Sequence, residues 1–82
     1  MSESDYRRAF GDRVREARER RGFSQEGFAH HVGMDRTYVS GIERGVRNPT
    51  LIVICRIADG LDLHPSELLR TLPGHALDEP YD

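Results

Sequence analysis

The chain has 82 residues, 37% of them hydrophobic, which suffices for one small domain and excludes a multidomain protein. Its single cysteine excludes an internal disulfide, and the spacing of its Cys and His residues excludes a zinc site. The longest apolar run, residues 51–55, is too short to cross a bilayer and no apolar signal region precedes it, so we expect a soluble, intracellular chain.

Charge is distributed unevenly along the chain. Residues 6–70 contain all 12 basic side chains, each of them arginine, and nine acids, which gives this segment a net charge of +3. Acidic residues at the two ends bring the total to −2. Because charges act over only about 10 Å at 0.1 M salt, the central segment suits an anionic partner despite the acidic total.

The first predicted helix covers about residues 5–21, with Ser4 as its N-cap and Gly22 just after its end. Residues 1–4 then form a short N-terminal tail. One face of the helix is apolar, at a spacing of three or four residues: Tyr6, Phe10, Val14 and Ala17.

Two short helices follow. Ser24 is the N-cap of a second helix over about residues 25–32. Asp35 is the N-cap of a third helix over about residues 36–44, which Gly45 ends.

Thr50 caps a fourth helix that extends to about Gly60, and Pro65 begins a short fifth helix. The fourth helix has an apolar face that is predicted to be buried: Leu51, Ile54, Ile57, Ala58 and Leu61. Cys55 is expected on the inner side of this helix, as a small core residue.

No segment has the period of a strand, so the predicted fold class is all-α: a compact bundle of five helices. The helices occupy one domain, residues 5–72. Residues 73–82 begin with Pro-Gly and are acidic, and we expect them to form a disordered tail.

Small and apolar residues are spaced across the second and third helices as in a helix-turn-helix. Ala29 allows the two helices to approach, and Gly33 forms the turn between them. Val39 and Ile42 hold the third helix to the core. The outer face of the third helix is then polar and is formed by Arg36, Thr37, Ser40 and Arg44. Arginine and hydroxyl side chains near a helix N-terminus suit the major groove of DNA.

Five segments in fixed register carry a family resemblance: Gly-Phe-Ser-Gln-Glu, Arg-Thr-Tyr-Val-Ser, Glu-Arg-Gly, Arg-Asn-Pro-Thr-Leu and Pro-Ser-Glu-Leu-Leu. With them, the stretch from about Phe10 to Leu69 resembles the Cro/C1-type, or XRE-like, helix-turn-helix regulators, which have a lambda-repressor-like DNA-binding domain. Residues 35–38 with Arg47 and Asn48 are most similar to the small dimeric controller proteins of restriction–modification systems.

The side-chain chemistry and this resemblance together predict eight DNA contacts: Gln25, Arg36, Thr37, Tyr38, Ser40, Arg44, Arg47 and Asn48. Arg36 either reads the O6 and N7 atoms of a guanine or pairs with a phosphate or an acid. Thr37 contacts a thymine methyl or a phosphate, whereas Tyr38 contacts the DNA backbone or packs beside the following loop. The resemblance implies that Gln25 links a phosphate to the third helix. It also implies backbone contacts for Arg44, Arg47 and Asn48, with a base as the alternative for Arg47.

The resemblance further implies that Glu43 pairs with Arg18 of the first helix, buried or half-buried, in a structural rather than catalytic role. At Gly27 the chain departs from the family, which usually has a residue such as Glu there. This glycine costs the second helix about 1 kcal/mol. No nucleophile and base have the spacing of a catalytic site, so we do not expect an enzyme.

Ile52 and Val53 are predicted to point away from the buried face of the fourth helix. They are either a dimer contact, on a surface that family regulators often use, or two scattered surface residues.

These patterns predict a homodimeric, sequence-specific transcriptional regulator that binds a palindromic operator in double-stranded DNA and regulates its own synthesis. The alternative is an antitoxin that combines the same helix-turn-helix with a surface for a toxin. RNA polymerase is the other candidate protein partner, beside a toxin. We expect a cytoplasmic, nucleoid-associated protein without a metal or another cofactor.

Overall fold

The computed structural model describes residues 2–73. Within them the chain forms five α-helices and no strand: α1 (Glu3–Arg20), α2 (Gln25–Val32), α3 (Arg36–Glu43), α4 (Leu51–Gly60) and α5 (Pro65–Leu69). The predicted all-α class and the number of helices are confirmed. The predicted disorder of the acidic tail, and a toxin contact through it, fall on residues 74–82, outside the described residues.

The first helix begins earlier than predicted. Its N-cap is Ser2, and the predicted cap, Ser4, lies within the first turn of α1. The Ser2 hydroxyl accepts a hydrogen bond from the Asp5 N–H at 3.3 Å, and the Asp5 carboxylate accepts one from the Ser2 N–H at 3.1 Å. This reciprocal capping box satisfies two N-terminal groups at once, which explains why the helix begins directly after Ser2.

The other four helices begin at the predicted positions, because each has a side chain that accepts from the backbone of its first turn. Ser24 accepts from the Gly27 N–H at 2.9 Å and Thr50 from the Val53 N–H at 3.2 Å. Gly27 therefore removes only the returning half of a capping box on α2, and the Ser24 half is present.

One hydrophobic core joins all five helices. In it α1 packs against α3 and α5, α2 against α3 and α4, and α4 against α5. Its members include Phe10, Val14, Phe28, Val39, Ile42, Ile57, Leu61 and Leu68, all buried. Because α3 packs against both α1 and α2, its orientation is fixed from two sides.

The fourth helix is rotated relative to the prediction. Val53 is partly buried against the core, whereas Leu51 is 68% exposed and Cys55 is also exposed. The predictions that Val53 points outward and that Leu51 and Cys55 are buried are therefore wrong. The inward stripe is formed by Val53, Ile54, Ile57, Ala58 and Leu61, which follow a spacing of three and four residues. Two apolar faces compete on this helix, and packing against α2 and α5 selects between them.

None of the helices in residues 2–73 combines the length and the apolar character that crossing a membrane would require.

Candidate nucleic-acid interface

The turn between α2 and α3 is tight. Gly33 adopts a left-handed conformation, with φ of 70°, which a side chain would strain. The Met34 N–H then donates to the Ala29 carbonyl at 2.8 Å, which closes the end of α2. Ala29 is buried at this crossing, and Val39 and Ile42 are buried beneath α3. These residues hold the two helices in a fixed relative orientation.

Asp35 begins α3 as its N-cap. Its Oδ1 accepts from the Thr37 N–H at 2.8 Å and also from the Thr37 hydroxyl. These hydrogen bonds from Thr37 lower the pKa of the Asp35 carboxyl from its ordinary value of 3.8. The carboxylate is thus ionised at neutral pH, and its negative charge interacts favourably with the N-terminal end of the α3 dipole. The Thr37 hydroxyl is oriented toward it.

The solvent face of α3 presents polar and cationic groups. Arg36, Thr37 and Arg44 are exposed, and Ser40 is half-buried. The Arg44 Nε–H donates to the Ser40 hydroxyl at 3.3 Å. A helix is about 10–12 Å wide with its side chains, and the major groove accepts such a rod.

Most arginines of α1 make an ion pair within residues 2–73, whereas those of α3 and the loop after it do not; Arg8 and Arg56 make none either. Arg7, Arg13 and Arg15 each pair with a carboxylate on α1, and Arg70, directly after α5, pairs with Glu67. Among residues 2–73, no acid lies within ion-pair distance of Arg36, Arg44 or Arg47. Three cationic groups on and after α3 are therefore available to an external anion.

A buried ion pair connects α3 to α1. The Arg18 Nε–H donates to Glu43 Oε2 at 2.6 Å and the second guanidinium nitrogen to Oε1 at 3.0 Å. The two side chains are 8% and 3% exposed. The hydrogen bonds from Arg18 to Glu43 raise the pKa of the guanidinium above its ordinary value. Arg18 also donates to the Phe23 carbonyl at 2.7 Å, so one side chain links α1, α3 and the loop before α2.

Gln25 joins this network from the start of α2. Its Nε2 donates to Glu43 Oε1 at 3.0 Å, which fixes the orientation of the amide. Its carbonyl oxygen makes no hydrogen bond to the described residues 2–73, and the side chain is only partly buried. Gln25 is therefore held beside α3 by an acid that is itself buried.

The loop after α3 is attached to the bundle by backbone contacts. The N–H groups of Val46 and Arg47 both donate to the Gly41 carbonyl, at 2.9 and 3.3 Å. From α1, the Arg7 Nε–H donates to the Gly45 carbonyl at 3.2 Å. Arg47 and Asn48 are exposed on this loop. Sequence reasoning missed Arg7, because a contact across 38 residues leaves no local signal in a pattern of exposed arginines.

An apolar patch lies on α4. It consists of Leu51, Ile52 and Cys55, of which Leu51 and Ile52 are each 68% exposed. Of the two residues predicted to be exposed on this helix, Ile52 belongs to the patch and Val53 does not. Leu51 and Cys55 belong to it instead. Large aliphatic side chains exposed side by side are typical of a protein-interaction surface.

Comparison with known proteins identifies the family. The helix-turn-helix family, HTH_3, matches residues 14–68, which is most of the described chain. The chain belongs to this helix-turn-helix family. The predicted membership in the XRE-like regulators is thereby confirmed.

Within the family the chain is similar to controller proteins. It is 41% identical over 66 residues to the control protein C.MunI of a Mycoplasma species, an alignment that covers 79% of this chain and 89% of C.MunI. It superposes on the restriction–modification controller protein C.AhdI of Aeromonas hydrophila with a TM-score of 0.74 and 48% identity, covering 76% of this chain and 94% of C.AhdI. The controller C.Esp1396I, solved as a tetramer with its natural 35 base-pair operator, gives a TM-score of 0.72 and 31% identity over 79% of this chain and 86% of C.Esp1396I.

Proposed function

We propose that this protein is a sequence-specific DNA-binding transcriptional regulator that inserts α3 into the major groove of an operator. The observation that carries the proposal is the set of three arginines on and after α3 without an ion-pair partner among residues 2–73. The related controller C.Esp1396I was solved with its operator, which supports the DNA-binding part of the proposal.

Arg36 is the proposed base-reading residue. It is exposed at the first position of α3, where its planar guanidinium can make two hydrogen bonds to a guanine. Thr37 would present its methyl group beside it, since its hydroxyl donates to Asp35. Ser40 lies about one turn further along the same helix and would face the same groove.

Phosphate contacts would position α3 in the groove. Gln25 is the first residue of α2 and Arg44 follows the last residue of α3, and Arg47 and Asn48 lie on the loop after it. The N-terminal turn of α2 also offers backbone N–H groups and a favourable dipole to a phosphate. Such contacts raise the affinity for all sequences and fix the register without selecting a base.

The proposed active form is a homodimer that binds a palindromic operator. Exposure of the α4 patch supports it, because burying Leu51 and Ile52 against a second copy would remove large apolar surfaces from water. Two copies of α3 would then enter successive major grooves about 34 Å apart. Similarity to controller proteins supports control of the chain's own synthesis.

Selection of bound duplexes from a random pool tests this function. The expected product is a pair of inverted half-sites whose centres are about 10 base pairs, or a multiple of that, apart. Affinity for the selected duplex should fall steeply as salt increases, since the proposed contacts displace counterions from phosphates. The absence of any preferred sequence at low and at moderate salt would contradict the proposal.

A further inference from the structure

Although Arg47 is exposed, the stem of its side chain lies against α3 at Gly41. A Cβ atom built on Gly41 would come within 2.6 Å of Arg47 Cγ and 3.3 Å of its Nε. The Arg47 Cζ lies 5.8 Å from the centre of the Tyr38 ring. Tyr38 and Gly41 are three residues apart and share one side of α3, so they form a shallow seat for the arginine.

Backbone contacts support the same seat independently. The Arg47 N–H and the Val46 N–H both donate to the Gly41 carbonyl. Gly41 thus fixes where the loop leaves α3 and, because it has no side chain, where the Arg47 stem lies. The aromatic face of Tyr38 then attracts the guanidinium at the far end.

A glycine at this position has a cost. In the interior of a helix, glycine is less favourable than alanine by about 1 kcal/mol, and α3 is only eight residues long. Its backbone conformation is helical, so the turn does not require glycine here. The close approach of the Arg47 stem is the feature in residues 2–73 that an added methyl group would disturb.

We propose that Gly41 is a positioning residue for DNA recognition: it leaves the seat in which Arg47 is held, before DNA binds, on the same side of α3 as Tyr38. This inference rests on the proposed function in one respect, the contact between Arg47 and DNA. An arginine ordered in advance loses less conformational freedom on binding than a free one.

The test combines Gly41→Ala with Arg47→Ala on the full chain, using the duplex obtained by selection. Gly41→Ala should bind this duplex about 2- to 10-fold more weakly, the effect of ordering one flexible side chain. Its Tm should be unchanged or higher by up to about 8 °C, because alanine favours the helix. In the Arg47→Ala background, the same substitution should not change the affinity.

A matched control is Gly27→Ala on α2, where an added Cβ would approach only the Ser24 hydroxyl, at 3.0 Å. Gly27 lies in the first turn of α2, so this variant is used for the Tm alone and shows how a glycine-to-alanine change affects helix stability without a contact to Arg47. The order of the Arg47 side chain is measured directly by ¹⁵N relaxation of its Nε–H in the free protein. The Arg47 side chain should be ordered in the wild type and mobile in Gly41→Ala.

Each outcome separates the seat from the proposed function. Equal weakening by Gly41→Ala in both backgrounds would indicate a direct clash with DNA and would overturn the seat, as would unchanged affinity when Arg47→Ala itself weakens binding. If Arg47→Ala has no effect on binding, the DNA contact of Arg47 is wrong. The relaxation measurement then tests whether Arg47 is held in the seat. An Arg47 side chain that is as mobile in the wild type as in Gly41→Ala would overturn the seat.

Discussion

The buried pair between Arg18 and Glu43 gives the most quantitative prediction about stability. Replacing Arg18 by Met removes two hydrogen bonds to Glu43 and leaves that side chain, 3% exposed, with only the Gln25 amide as a donor. Breaking one partner of such a pair costs about 3–5 kcal/mol. A domain of this size is stable by about 4–10 kcal/mol, so the variant should be close to unfolding.

The measurement is urea unfolding followed by circular dichroism, with a thermal melt alongside. We expect Arg18→Met and Glu43→Leu each to lower the Tm by about 12–40 °C. The double variant should lose clearly less than the sum, because it has neither an unpaired charge nor an empty volume. Arg70→Met, which breaks the exposed pair with Glu67 at 2.9 Å, is the control and should cost at most about 1 kcal/mol.

Additivity of the two substitutions within about 0.5 kcal/mol would refute the reasoning, since it would mean that the two side chains do not interact. Single losses as small as that of Arg70→Met would refute it as well. The hydrogen bonds to Glu43 raise the pKa of Arg18 above its ordinary value. The stability that the charged guanidinium gains in this way should therefore be constant through neutral pH and be lost only in strong base.

Three further predictions concern α3 and α4. Arg36→Ala should lose about 5- to 150-fold discrimination at one base pair per half-site, and equal losses on selected and random duplexes would contradict base reading. Because the pKa of Asp35 is lowered, its contribution to stability is complete above 3.8 and is lost as the pH falls below that value. Asp35→Asn keeps a cap that does not titrate, so urea unfolding across this pH range should show a weaker acid dependence; an identical dependence would contradict this role. Ile52→Glu should shift sedimentation toward the monomer and weaken operator binding without lowering the Tm of the monomer, whereas an unchanged dimer would place the interface elsewhere.

Local patterns were sufficient for most of the fold. Caps at Ser24, Asp35 and Thr50 act within three residues of themselves, so the starts of their helices could be predicted from sequence. The start of α1 was missed because Ser2 and Ser4 are both plausible caps. The hydrogen bond from the Ser2 N–H to the Asp5 carboxylate distinguishes them, and it was not part of the prediction.

Five helices, the turn at Gly33 and the polar outer face of α3 could all be predicted from residue order, because spacing and capping act over a few residues. The packed structure was needed to establish which side of α4 is buried, since Leu51 and Val53 are both apolar and burial depends on the contacts of α4 with α2 and α5. It also placed Arg47 against Gly41 and Arg7 against Gly45. These contacts join a loop to α3 and α1 to a loop 38 residues away. Their energies depend on the geometry of the packed helices, which the local residue pattern does not specify.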